Sequence, residues 1–196
     1  MTISPASPLG AGSLTEYGIE TFPDAPGPGI TETFDRRLAT GSTSNQTTGV
    51  VLATAIDLPG GETISGATFY TAGGAVTART HGWYALCDTN MNILAVTADQ
   101  AAGSAWSVAN TPYPLNFTAA IWTSHALPGY LCVSCTATIT PNFVGIYNSG
   151  GPTDAFASIP PVLSGTAGTK TTPPAIGSTL AAVTGVAYSS AYAIVY

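Results

Sequence analysis

The residues able to do chemistry in this chain are few and scattered. Its 196 residues hold 2 His, 3 Cys and 10 Asp and Glu, with no Gly-x-Ser-x-Gly elbow and no phosphate-cradling glycine motif. Asp88 and Asp99 are the one carboxylate pair that could act as the acid and base of a glycosidase. Both fall at the ends of expected strands, however, where Asp commonly caps turns. His81 alternates in register with Trp83, which predicts a half-buried histidine bonded to backbone rather than a metal ligand. His81 and His125 together would bind metal only if the fold brought them together. Cys132 and Cys135 lie three apart in an expected strand, so their side chains point to opposite faces rather than toward one ion. The cysteines therefore read as small buried hydrophobes. No catalytic residue, metal site or cofactor is expected.

Binding residues are better candidates. Arg36 and Arg37 form a guanidinium pair able to clamp carboxylates of a partner. Tyr17, Phe22 and Phe34 of the same N-terminal segment join them as partner-binding residues. A rival reading is a carbohydrate-binding module in which Tyr113, Trp122 and Tyr130 offer rings for sugar stacking. Against it stands the preference of sandwich aromatics for the core.

Composition excludes several classes of function. A net charge of −6 with only 4 Lys and Arg speaks against nucleic acid, because phosphate binding needs clustered basic residues. No apolar run approaches the ~20 residues that a membrane-spanning helix requires. Residues 1–14 lack the basic start and continuous apolar core of a secretion signal, so synthesis in a cytoplasm is expected. On that basis Asn45-Gln46-Thr47 and Asn116-Phe117-Thr118 are not read as glycosylation sites. With 15 Pro and 22 Gly, many short strands are favoured over long helices.

The elements follow from a period of two. Gly49 to Leu58 alternates β-branched and small residues as a strand does, Pro59-Gly60-Gly61 stops it, and Thr63 to Thr71 resumes the alternation, which predicts a hairpin. His81, Trp83, Ala85 and Cys87 share one face of a third strand, with Tyr84 and Leu86 on the other. A turn over residues 88–92 leads into a strand over residues 93–98, and a loop containing Gly103 then brings in Trp106 to close one end of the core. Thr111 to Pro114 reads as a rigid turn, residues 119–128 as a loop carrying Trp122 and His125, and residues 129–138 as the next strand. Phe143 to Tyr147 makes a short apolar run, residues 148–179 a meander over the surface or a subunit contact, and residues 186–196 a closing strand.

Residues 1–37 differ in kind. Pro5, Pro8, Pro23, Pro26 and Pro28 punctuate them without any sustained period, and Glu16, Glu20, Asp24, Glu32, Asp35, Arg36 and Arg37 make up half of the charged residues in the chain. This is an extended arm, about 120 Å long if fully drawn out. It precedes a domain over residues 38–196, in which residues 38–48 form an edge strand or linker. The fold class expected is all-β: an antiparallel, jelly-roll-like β-sandwich behind an N-terminal arm.

An ordered series of pieces also resembles a known module. They are Ile56-Asp57-Leu58-Pro59-Gly60-Gly61, Ile64 with Phe69, Thr80-His81-Gly82-Trp83-Tyr84-Ala85-Leu86-Cys87-Asp88, Ile93-Leu94-Ala95, Ala98-Asp99-Gln100 and Ala105-Trp106. The series is similar to virion surface proteins of tailed actinobacterial phages, which serve as head-decoration, head-fibre or minor tail proteins. It is fullest over residues 49–106, extends to Tyr147 and the C-terminal strand, and does not include the arm. The resemblance implies a structural role without catalysis, at the surface of a virion assembled in the host cytoplasm. A sandwich whose surface is mostly Ala, Thr, Ser and Gly suits packing against its own copies. A homo-oligomer is therefore expected, a trimer by analogy with virion spikes. The arm would dock on the major capsid protein or another virion protein.

Overall fold

Two strands are buried on both faces, and the rest of the fold is layered around them. They are β5 (His81–Asp88) and β8 (Leu127–Thr136), paired antiparallel from His81 opposite Thr136 to Asp88 opposite Gly129. Tyr84, Leu86, Leu131, Val133 and Cys135 enter one apolar cluster, while Trp83, Ala85, Cys87, Tyr130 and Cys132 enter a second on the reverse side. This alternation is the one visible in the sequence, and both sides of it are covered. The computed structural model describes residues 30–39, 41–43, 46–101, 105–147, 163–185 and 189–196.

The architecture is an antiparallel all-β sandwich. Its larger sheet runs in the order β11 (Thr184–Gly185), β10 (Ser164–Thr169), β3 (Val50–Leu58), β8, β5, β6 (Ile93–Val96). The smaller runs β1 (Thr31–Glu32), β13 (Ala193–Val195), β4 (Glu62–Tyr70), β7 (Pro112–Thr123). A short third sheet joins β12 (Ser189–Ala191), β9 (Val144–Tyr147) and β2 (Gly41–Ser42). Between the two main sheets lies the principal core, centred on Phe69, Tyr84, Trp106 and Phe143 with ring centroids 4.7 to 6.2 Å apart. Trp106 fills this core as expected. Its indole N–H donates to the Tyr84 hydroxyl (2.7 Å), which itself donates to the Tyr113 carbonyl (3.1 Å), so neither polar atom is buried without a partner.

Several sequence expectations change at the level of connection. The predicted hairpin of β3 and β4 does not form: β3 pairs with β8 and β10, and β4 with β7 and β13, so residues 59–61 carry the chain from one sheet to the other. Residues 124–126 make the same crossing between β7 and β8. The two crossings pack together, with the Gly61 N–H bonded to the Thr123 carbonyl and Gly60 against residues 125–126, where an added Cβ would stand 2.6 Å from the Ala126 nitrogen. Alternation fixes which face a side chain takes but not which strand lies beside it.

The expected turn at residues 111–114 and the expected loop at residues 119–128 are largely one long strand, β7. Its pairing steps from Gly66 opposite Asn116 to Ile64 opposite Ile121, so residues 117–120 bulge away from β4. There Phe117 bridges to Thr97 and the Thr118 hydroxyl bonds the Val96 carbonyl (3.0 Å), which closes that side of the sandwich. The meander expected over residues 148–179 includes β10, and the chain after it covers the reverse face of the larger sheet: Leu180 and Met91 share the second cluster, and the Leu180 N–H donates to the Met91 carbonyl (3.0 Å). Tyr192 divides the closing strand into β12 and β13, which serve different sheets.

The chain joins the sandwich ahead of the boundary drawn at residue 37. Thr31 and Glu32 pair with Val195 and Ile194, and the Thr33 N–H donates to the Ala193 carbonyl (3.0 Å). Residues 1–29, with Tyr17 and Phe22 and most of the expected arm, lie outside the described residues.

Candidate functional site

The described charges are mostly tied into the fold. Asp88 accepts from the N–H groups of Asn90 and Asn92 (2.9 Å each), the turn-capping role expected of it. Asp99 accepts from the Gly82 N–H (3.0 Å), and its other oxygen lies 2.6 Å from His81 Nδ1. His81 is thus half-buried as expected, but bonded to a carboxylate rather than to backbone. Asp99 stands at the start of β5 and Asp88 at its end, ~23 Å apart at strand rise, so the glycosidase pair is not assembled. His81 pairs with Thr136 while His125 sits beyond the other end of β8, which separates the two histidines in the same way. Among the described residues no group of three or more His, Cys, Asp and Glu is placed to hold a metal ion. No helix among them is long and apolar enough to cross a membrane.

Arg36 and Arg37 occupy a short 3-10 turn, Arg36–Leu38, directly after β1. Both guanidinium groups are engaged by carboxylates of their own segment. Arg36 Nε lies 2.6 Å from Glu32 Oε1, and Arg37 holds Asp35 through Nε (3.0 and 3.1 Å) and Nη2 (2.5 Å). The side-chain and backbone hydrogen bonds from Arg37 bring the Asp35 carboxyl down to about 2. A partner's carboxylate would have to displace these internal ones. Phe34 packs within the domain, its ring edge-on to Tyr192 at 5.6 Å, and Tyr192 in turn contacts Tyr70 at 5.3 Å. The Tyr192 hydroxyl donates to Glu32 Oε1 (2.8 Å), and its burial, reinforced by that bond, raises it well above the ordinary tyrosine range. Phe34, Tyr70, Tyr192, Glu32 and Arg36 therefore form one cluster where the chain enters the sandwich. Sequence reading missed Tyr70, Tyr192 and Glu32; Glu32 meets Arg36 because the chain turns between β1 and the 3-10 turn, which no periodicity announces.

The three rings proposed for sugar stacking are not brought together. Tyr130 is buried in the second cluster, and half-buried Tyr113 packs against the principal core with its hydroxyl accepting from the Val108 N–H (2.7 Å). Trp122 alone of the three is well exposed, at 65%. It lies near the end of β7, opposite Thr63 of β4, and borders an open cleft of about 250 Å³ with Leu94, Ile121, Ser124, His125 and Leu127. The position expected to lie in a loop is therefore held by a paired strand. Compared with protein-family models, curated proteins and solved structures, the chain finds no match in any of the three.

Proposed function

We propose that this chain is a non-enzymatic structural protein of a phage particle, a capsid decoration protein that docks through the residues preceding β1 and presents the sandwich outward. The observation that carries this reading is the scarcity of free charge. Asp, Glu, Lys and Arg make up 7% of the chain, against about 25% in ordinary soluble domains. Asp88 and Asp99 are tied into turns and strand ends, and Arg79 lies over the Trp106 ring, its guanidinium 5.5 Å from the centroid, and donates to the Ala105 carbonyl. Beyond Leu38 the exposed charges among the described residues are Asp57, Asp99 and Lys170, with Glu62, Arg79 and Asp88 half-exposed. A surface of that kind is disfavoured for a free monomer and suited to close packing against copies of itself or against a capsid lattice. The resemblance of residues 49–106 to virion surface modules points the same way, and a homotrimer is the assembly proposed.

The test combines light scattering on the purified chain with attachment to capsids that lack it. Full-length protein is expected to be an oligomer that binds such capsids, whereas residues 30–196 keep the sandwich and do not attach. Equal attachment by both forms would place docking on the sandwich instead. A monomer that ignores capsids would move the assignment to the tail.

A further inference from the structure

We infer that the cleft beside Trp122 is a binding site for a neutral saccharide, with one pyranose ring stacked on the indole and its hydroxyls bonded by Ser124 and His125. The inference does not rest on the virion role. The chain has 3 Trp; Trp83 and Trp106 are wholly buried, one in each apolar cluster, while Trp122 is 65% exposed. Leaving so large an apolar ring in water forgoes roughly 1.5–3 kcal/mol of burial, and an aromatic with one face free is a ready surface for the C–H face of a sugar.

The cleft supplies what such a ligand needs. Its position is fixed, because Trp122 is paired with Thr63 and the next residue, Thr123, is buried with its hydroxyl bonded to the carbonyls of Pro59 (2.5 Å) and Glu62 (3.1 Å). Polar groups stand beside the ring: Ser124 Oγ lies 3.0 Å from His125 Nδ1, an arrangement that turns Nε2 of the imidazole to other partners. Leu94, Ile121 and Leu127 complete an apolar wall. No Asp, Glu, Lys or Arg among the described residues lines the cleft, which selects an uncharged, hydroxyl-rich ligand over an anion or cation. At about 250 Å³ it is smaller than the ~300–1,000 Å³ of drug-sized pockets, so one sugar ring fits while the rest of a glycan extends into solvent. The strand order also separates the two ends of the molecule: β1, where the N-terminal segment enters, and β7, which carries Trp122, are opposite edges of the smaller sheet. A saccharide held at one edge leaves the other clear.

The burial of Trp83 and Trp106 makes the test selective, since iodide quenching of fluorescence reports Trp122 alone. Full-length protein would be titrated with methyl α-glucopyranoside, methyl β-galactopyranoside and triacetylchitotriose, with saturation-transfer NMR as the second readout. Saturable protection of Trp122 by at least one of them is expected. Trp122→Ala should then abolish the saturation-transfer signal, and His125→Ala should weaken binding about tenfold, with melting temperatures held. If Trp122→Ala melts early, Trp122→Phe takes its place and should bind more weakly than the parent. Protection by none of the three saccharides, or binding undiminished in the Trp122 and His125 variants, would overturn the inference.

Discussion

Gly82 and Trp106 are fitted to each other at a separation no other residue at position 82 could keep. A Cβ on Gly82 would fall 2.2 Å from Cζ3 and 2.7 Å from Cη2 of the indole. The ring cannot retreat: it is wholly buried, bonded to Tyr84 through Nε1, edge-on to Phe143 and covered by Arg79. Trp106 itself holds φ +59°, a conformation costly for a bulky side chain, and this packing maintains it. Gly82→Ala is therefore expected to destabilise by at least the ~1–3 kcal/mol of overpacking, read as a lower urea midpoint at unchanged slope. The cysteines give a second prediction at this scale. Cys87 and Cys132 lie with sulfurs 3.8 Å apart in the second cluster, and Cys135 faces the principal core, where burial pushes its thiol up to about 12. Native protein at neutral pH should resist a thiol reagent and react at all three positions once unfolded; rapid labelling of the native form would contradict the buried placement.

At the level of elements, the sensitive junction is β1 rather than the composition boundary at residue 37. Deleting residues 1–29 leaves β1 paired with β13, whereas deleting residues 1–37 removes that pairing, the Thr33 bonds to the closing strand and the Phe34 contact with Tyr192. At about 1 kcal/mol per net hydrogen bond, the longer truncation should cost about 2–3 kcal/mol. In a domain of this size that is a fall of roughly 5–10 °C in melting temperature relative to residues 30–196, read by comparing the two truncated forms. Sequence reading placed this boundary late because charge and proline density, its only guides, continue past the point where Thr31 enters a sheet. For β3 and β5, and for the opposed Cys132 and Cys135 of β8, it read the faces correctly, since a two-residue period reports burial directly; in β4 the register shift between Ile64 and Gly66 breaks that period, so that Ile64 joins Ala67 and Phe69 in one cluster. Sheet membership was not legible: the Pro59-Gly60-Gly61 turn suits a hairpin and a crossing equally, and the deciding contact, Gly60 against residues 125–126, is remote in sequence. Trp122 was read into a loop for a related reason, because the bulge over residues 117–120 breaks the alternation of β7. The engagement of Arg36 and Arg37 by Glu32 and Asp35 was not legible from spacing, because it depends on the turn that follows β1 rather than on one helix face.

At the scale of the molecule, the buried groups raised among the described residues are phenols and thiols, and this sets the direction in which pH acts through them. Tyr84 is raised well above its usual 10.0 by complete burial, with the Trp106 hydrogen bond opposing the shift. Tyr192 is raised by burial and by its bond to Glu32. Cys132 is raised by its hydrogen bond with Cys87 and by burial, and Cys135 by burial. Each of these groups is neutral in its protonated form, and the fold prefers that form. The unfolded chain therefore releases these protons at lower pH than the folded one does. Their contribution to stability is complete below the unfolded values, about 8.5 for Cys and about 10 for Tyr, and is lost as pH rises from there toward the folded values. Melting temperature should accordingly fall from about pH 9 upward, and more steeply past pH 10 as tyrosines join the cysteines. Cys132→Ala with Cys135→Ala should remove the first part of that fall, and Tyr84→Phe should reduce the second. Because Tyr84→Phe also deletes the acceptor of the Trp106 N–H and the donor to the Tyr113 carbonyl, it should lower stability at neutral pH while flattening the alkaline slope. A slope that stays as steep in this variant would show that other ionisations, not the phenol at the centre of the core, govern alkaline unfolding.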